Sequence, residues 1–327
     1  MPRTFPDHGA MLLHLFRLLL TLMLAFAGAA RAQVEAPESQ GGAGNVVAVL
    51  YPDIGEPYRS VFSSIIDGIE SEARGGVIRY AVGDSFDPQA LAAELKRRRV
   101  GVVIALGRNG LRAANTLNRD IGVVAGGIVS APEDHALRGT LISLAPDPAL
   151  LFARLKSVAP RSRRVVVVFE PRQNNWLIAI AREAAAKQGL ELVALEASDI
   201  KEAAEHYRDF FAAADGRRDA LWLPQDRITA NASTILPLVL QASWEQGIVV
   251  FSSSVPHVER GVLFALYPDN VALGRKLAAE AANIIEGIAP AHAMQPLREV
   301  LAAYNTRTAR RLGLDTAVRE FDLIFPD

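Results

Sequence analysis

Two acids, Glu170 and Asp226, follow apolar runs, VVVVF at 165–169 and ALWLP at 220–224, and belong to the residue types that move protons. Paired carboxylates in a cleft act as general acid and base, but only beside a nucleophile or a metal, and the sequence positions neither. It holds no GxSxG elbow, no HExxH, no GxxxxGK[ST] loop and no GxGxxG after the first apolar run. The histidines beyond residue 32 (His135, His206, His257 and His292) lack metal-ligand spacing, and no motif asks for a cofactor. No cysteine occurs, which removes thiolate and disulfide chemistry. What the ends of the apolar runs do carry is hydrogen-bonding groups: Tyr51, Asp53 and Glu56; Gly107, Arg108, Asn109 and Gly127; Glu170, Arg172, Asn174 and Asn175; Gln225, Asp226 and Arg227; and Ser252 to Ser254. Amides, hydroxyls and charges of both signs in this density form a shell for capturing a ligand rather than for turning one over.

Each member of that shell has a plainer use as well. Asn174 and Asn175 fit the cap of a helix, Ser252 to Ser254 fit a turn, and Trp176 either stacks on a ligand or covers its helix. Trp222, inside an apolar run, is expected in the core. The basic stretches at 97–99 and 161–164 fall between a helix and a strand, where cations need no partner.

The elements that must position these groups alternate regularly. Runs at 46–51, 77–82, 101–106 and 121–128 are apolar on both faces, and helix-length amphipathic stretches separate them. The pattern then restarts, with runs at 165–170, 190–195, 219–224 and 247–252 and helices near 174–188, 199–213 and 229–246. Strands apolar on both faces, each followed by a helix, indicate parallel sheets covered on both sides. The fold class is therefore α/β, with two Rossmann-like lobes joined by a hinge. Asp87-Pro88 and Asp147-Pro148 each place an N-cap acid before a proline suited to the first helical position. The segment 139–147 reads as a crossing between lobes, and the strand and helix at 261–290 as a return to the first sheet. In such sheets ligands bind outside the carboxyl ends of the strands, where the polar groups named above collect.

Before this body comes a basic start, the apolar run LLLTLMLAFA and Ala30-Arg31-Ala32, the pattern of a secretory signal peptide cleaved before Gln33. Residues 33–44 are too poor in apolar side chains to pack and read as a flexible leader. Without Arg3, Arg17, Arg31 and Asp7, the 35 basic and 36 acidic residues become 32 and 35, a net charge of about −3. Nothing there points to a nucleic-acid partner. A monomer in the periplasm is the expected form.

From VVAVLYPD (46–53) to TARRLGLD (308–315), the order and spacing of these elements resemble the periplasmic substrate-binding proteins of ABC transporters, specifically the type I group for tryptophan- or tyrosine-like ligands. The resemblance implies two lobes, 45–143 with 263–290 and 144–262, joined by three crossings, and a tail, 291–327, packing across them. It places the cleft at Gly107, Arg108, Asn109, Gly127, Glu170, Asn174, Asn175, Gln225, Asp226 and Ser254; Tyr51 and Asp53 are added from their place after the first strand. Where that group carries a small hydroxyl-bearing loop this chain has Arg108, and where it carries an aspartate this chain has Ser254. The loss of that acid weakens the case for an amino acid held by its ammonium group. Arg108 and Arg227 facing the cleft would favour a carboxylate or phosphate, unless Asp226 pairs with one of them.

Three functions are consistent with these residues. The first is a solute-binding protein that closes around a small polar or aromatic molecule and delivers it to an inner-membrane ABC permease. The second is a ligand-binding adaptor for a membrane sensor, a histidine kinase or cyclase. The third, a hydrolase with Glu170 or Asp226 as base, lacks a positioned nucleophile.

Overall fold

The structure, a computed structural model, describes residues 46–131, 138–314 and 320–326. The expected signal peptide, its cleavage point, the leader and His135 lie outside them. In chain order come β1 (Val46–Pro52), α1 (Tyr58–Glu72), β2 (Val77–Val82), α2 (Pro88–Arg97), β3 (Val100–Leu106), α3 (Gly107–Ala114), β4 (Gly122–Ile128) and β5 (Thr140–Pro146). There follow α4 (Pro148–Val158), β6 (Arg164–Phe169), α5 (Pro171–Lys187), β7 (Glu191–Glu196), α6 (Ile200–Ala213), β8 (Asp219–Leu223), α7 (Ile235–Gln246), β9 (Val249–Ser252) and α8 (Val255–Glu259). The chain continues through β10 (Phe264–Pro268), α9 (Asn270–Ile285), β11 (Met294–Leu297), β12 (Val300–Asn305), α10 (Thr306–Arg311) and β13 (Leu323–Phe325).

Two sheets result, ordered β11-β5-β4-β3-β1-β2 and β13-β12-β10-β9-β8-β6-β7. All pairings are parallel except that of β10 with β12. Each sheet is buried on both faces. In the first lobe Val49, Ile104 and Val124 pack under α1 and α9, while Leu50, Val103 and Ala105 pack on the opposite side with Leu95 and Leu111. In the second, Val165, Val167 and Trp222 meet α4 and α5, and Val166, Val168 and Leu221 meet α6 and α7. Trp222 is fully buried, with Phe152 edge-on to its ring at 5.7 Å. Alternation along each strand thus sends successive side chains into two different cores.

The local signals at helix starts appear as expected. Asp87 accepts from the N–H groups of Gln89 and Ala90, and Asp147 from that of Ala149. The long-range connections differ from expectation. The strand near Leu263 does not return to the first sheet, because β10 pairs with β9 and β12 in the second. Only the helix after it, α9, packs in the first lobe, touching α1 at Gly68 and Gly274, where a Cβ would meet backbone at 2.1 and 2.0 Å. The strand that extends the first sheet is β11, beside β5. The segment 139–147 is itself a strand of the first sheet, and the tail contributes strands to both sheets.

The chain therefore passes between lobes three times: after β5, after β10 and after β11. Each passage leaves from the carboxyl end of a strand, so the carboxyl ends of both sheets face the crossing region and the space between the lobes. The crossings are tied together. Asp147 N–H donates to the Leu297 carbonyl at 2.8 Å, Asp269 N–H to the Glu299 carbonyl at 3.0 Å, and the Arg298 guanidinium pairs with the Asp147 carboxylate. Asp269 also caps α9 through Ala272 N–H. Among the described residues no helix is long and apolar enough to cross a membrane.

Candidate functional site

The corners of the first lobe are built by packing. Helix α3 starts directly at Gly107, so Arg108 and Asn109 form its first turn instead of a loop. Gly107 and Gly127 adopt φ of +67° and +72°, a region that strains a residue with a side chain. The space above them is occupied as well. A Cβ on Gly107 would sit 3.0 Å from the Phe62 ring and 3.2 Å from Pro52, and one on Gly127 3.1 Å from the same ring. Phe62 therefore lies over both glycines at the ends of β3 and β4. Tyr58, four residues earlier on the same face of α1, is 61% exposed, and Ile54 in the preceding loop 39%.

The polar residues expected in this lobe divide in use. The Tyr51 ring packs against the core under α1. Asn109 braces two elements, its Nδ2 donating to the Val82 carbonyl at 3.3 Å and to Asp84 at 3.2 Å. Asp53 is exposed, with its N–H held by the Val82 carbonyl at 3.0 Å. Arg108 is exposed and its guanidinium has no partner among the described residues.

The corners of the second lobe are built around a buried charge. Asp226 is 8% exposed. Its Oδ2 accepts from Glu170 N–H at 2.8 Å and from Asn174 Nδ2 at 2.9 Å. Its Oδ1 accepts from the N–H groups of Ile228 and Thr229, both at 2.9 Å. Four donors fill the carboxylate, which ties the end of β8 to the start of α5. Glu170 is the N-cap of α5, its carboxylate taking the N–H groups of Arg172 and Gln173. The helix thus begins three residues before its expected start, and Asn174 and Asn175 do not cap it. Asn174 is buried inside the first turns with its Oδ1 unpartnered, and Asn175 is exposed.

Gln225 accepts at its carbonyl from Gln173 Nε2 and donates through Nε2 to the Ser253 carbonyl at 3.0 Å, leaving Oε1 unpartnered. Ser254 stands half-buried at the head of α8 without making a side-chain cap. Trp176 turns its ring against the core beside α5 and donates Nε1–H to the Gln173 carbonyl at 3.1 Å.

A serine and a histidine also meet in this lobe, although not as a nucleophile and base. Ser252 Oγ lies 2.8 Å from His257 Nδ1 and 3.1 Å from the Leu223 carbonyl. Ser252 is fully buried, so its hydroxyl is out of reach of a substrate. Burial, with the charge of Arg260 adding to it, pushes the His257 pKa down to about 4 and keeps the ring neutral. No group of three or more metal-ligating side chains occurs among the described residues.

Sequence reasoning named the polar residues at the strand ends but missed Ile54, Tyr58, Phe62 and Gln173. The i, i+4 pair of aromatics in the first turns of α1 was the available signal.

A family model described as ABC transporter substrate binding protein matches residues 151–316. No curated protein sequence matches the chain. Among solved structures, the ligand-free, open form of a substrate-binding protein with adhesive properties from Clostridium difficile is similar at TM-score 0.59 and 18% identity, covering 85% of this chain and 98% of that one. An ABC domain from Streptococcus pneumonia in complex with L-Trp is similar at TM-score 0.53 and 16% identity, covering 86% of this chain and all of the other. At these identities the likeness is one of fold.

Proposed function

The chain belongs to the family of ABC transporter substrate-binding proteins, and from that premise we propose that it is a periplasmic solute receptor whose two lobes close around a small molecule for an inner-membrane ABC permease. The observation that carries the proposal is the set of three crossings. They leave from the facing carboxyl ends of the two sheets and are tied to one another at Asp147, Asp269, Leu297, Arg298 and Glu299. Three short crossings between two sheets, each with helices packed on both faces, suit a hinge, and the polar ends of both sheets become the walls of the cleft.

The binding residues we propose are Arg108, Asn175, Gln225 and Ser254, with Asp53 at the rim and Gly107 and Gly127 as the floor. Glu170, Asn174, Asp226, Asn109 and Tyr51 shape the walls from behind. The protein acts by capture and release, without catalysis: of the two candidate bases, Asp226 is filled by four internal donors and Glu170 caps α5. The signal peptide proposed from the sequence delivers the chain to the periplasm as a monomer. The adaptor reading needs the same fold and gains nothing from the comparisons.

A thermal-shift screen of the exported protein against aromatic amino acids, small carboxylates, sugars and nucleosides tests the proposal. The L-Trp complex of a protein with this fold puts aromatic compounds first. A ligand at a hundred times its dissociation constant raises stability by about 2.7 kcal/mol. A clear rise for one class supports the proposal, and a flat response to every class counts against it.

A further inference from the structure

The sequence left open whether Asp226 neutralises an arginine of the cleft, and the structure answers that it does not. Its carboxylate is consumed by Asn174 and three backbone N–H groups. Four more acids near the strand ends are engaged. Glu170 takes two N–H groups of α5, Asp84 accepts from Asn109, Glu56 accepts from Ser60 N–H at 3.3 Å, and Asp147 pairs with Arg298 at the hinge. Against them stand three exposed guanidinium groups at strand ends with no partner among the described residues: Arg108 in the first lobe, Arg172 and Arg227 in the second. Among the described acids at these corners, Asp53, Glu196 at the end of β7 and Glu299 at the hinge have no side-chain partner.

The first lobe adds a second, independent chemistry. Tyr58 and Ile54 are two of the five large apolar side chains that are exposed among the described residues; Tyr58 stands one turn before Phe62 on α1, and Ile54 lies in the loop that leads from β1 into that helix. Uncovered apolar groups gathered at one rim are a mark of a binding surface, and aromatic faces favour flat partners.

Building on the receptor reading above, we infer that the ligand is a small planar carboxylate whose flat apolar body lies on the Tyr58 and Phe62 face and whose carboxylate is held by Arg108, with Arg172 and Arg227 closing on it from the other lobe. A guanidinium fork matches a carboxylate with two parallel hydrogen bonds. An α-ammonium group, by contrast, meets the unpaired guanidinium groups of Arg108, Arg172 and Arg227, while the acids beside them, Glu170 and Asp226, accept from internal donors. The structure therefore favours the acid over the corresponding amino acid.

Calorimetric titration of the exported protein with benzoate and indole-3-acetate, with the matched neutral amides benzamide and indole-3-acetamide, and with L-tryptophan tests this. The carboxylates bind, and the amides bind about tenfold or more weakly, the usual worth of a hydrogen bond to a charged group. Arg108→Ala lowers carboxylate affinity by a similar factor without moving the melting temperature, Arg108→Lys recovers part of it, and Arg182→Ala, in the middle of α5, changes nothing.

Amides binding as tightly as acids, L-tryptophan binding more tightly than indole-3-acetate, or an unchanged affinity in Arg108→Ala would each overturn the inference. If none of these probes binds while a sugar or nucleoside stabilises the protein, the planar carboxylate is wrong and the receptor stands. If no compound of any class binds or stabilises, both fall.

Discussion

At the end of β8 a buried carboxylate, Asp226, gathers four donors, whereas at the ends of β3 and β4 two glycines and the ring of Phe62 occupy the corresponding position without a charge. Both corners close the carboxyl end of a parallel sheet, where backbone N–H groups lack strand partners. The second lobe satisfies them with one side chain that reaches two loops. The first lobe uses shape, and in doing so leaves Arg108 free. A corner held by a buried charge resists change, and the carboxylate that holds it has no capacity left for a ligand. A corner held by packing keeps its polar groups available.

Removing the charge should produce the largest effect. Asp226→Ala strands four donors in a buried corner, so we expect a loss of about 3–5 kcal/mol in denaturant unfolding. A loss below about 1 kcal/mol would show that water takes over its bonds and that the two corners are less different than described.

The second lobe should also be the acid-sensitive one. The His257 pKa is lowered from 6.5 to about 4 in the folded state, so the native protein holds the neutral ring and the unfolded chain binds the proton first. Stability from this group is complete above pH 6.5 and declines as pH falls from 6.5 through 4, by up to about 3 kcal/mol. Unfolding curves at pH 7.5 and 4.5 for the parent and His257→Gln isolate the contribution, since the variant should show a shallower fall. Parallel curves would contradict the assignment.

In the first lobe, Gly127→Val forces a branched residue into positive φ against the Phe62 ring, with an expected cost of about 2 kcal/mol. Phe62→Ala in the same background should recover part of it, because the clash is with that ring. At the hinge, the Arg298 side chain is 63% exposed. Arg298→Gln should therefore cost at most about 1 kcal/mol, with its main consequence in the balance between open and closed forms, measured as a change in ligand affinity at nearly constant melting temperature.

Much of this architecture can be read from the chain because it is local. Runs apolar on both faces identify the strands, and Asp87 and Asp147 announce their helices because an N-cap acid and a following proline act within one turn. Which sheet a strand joins is not local. The segment FALYP at 264–268 is as apolar as any strand of the first lobe, yet it stays in the second because β9 and β12 flank it, while the weaker MQPL at 294–297 extends the first. At the site, residue type revealed the polar shell but not its division of labour. Glu170, Asn174 and Asp226 read as ligand contacts because their partners lie up to 56 residues away, and Phe62 was silent because an aromatic in an amphipathic helix looks like core.

The central claim is that the two sheets close on a ligand, and distance between their far edges measures it directly. The chain has no cysteine, so Ser85→Cys, beyond β2, and Lys201→Cys, beyond β7, place two spin labels on exposed sites at the sheet edges remote from the crossings. With saturating ligand identified by the screen, the account predicts a shorter and narrower distribution of label distances than in the free protein. The same distribution with and without ligand would contradict it.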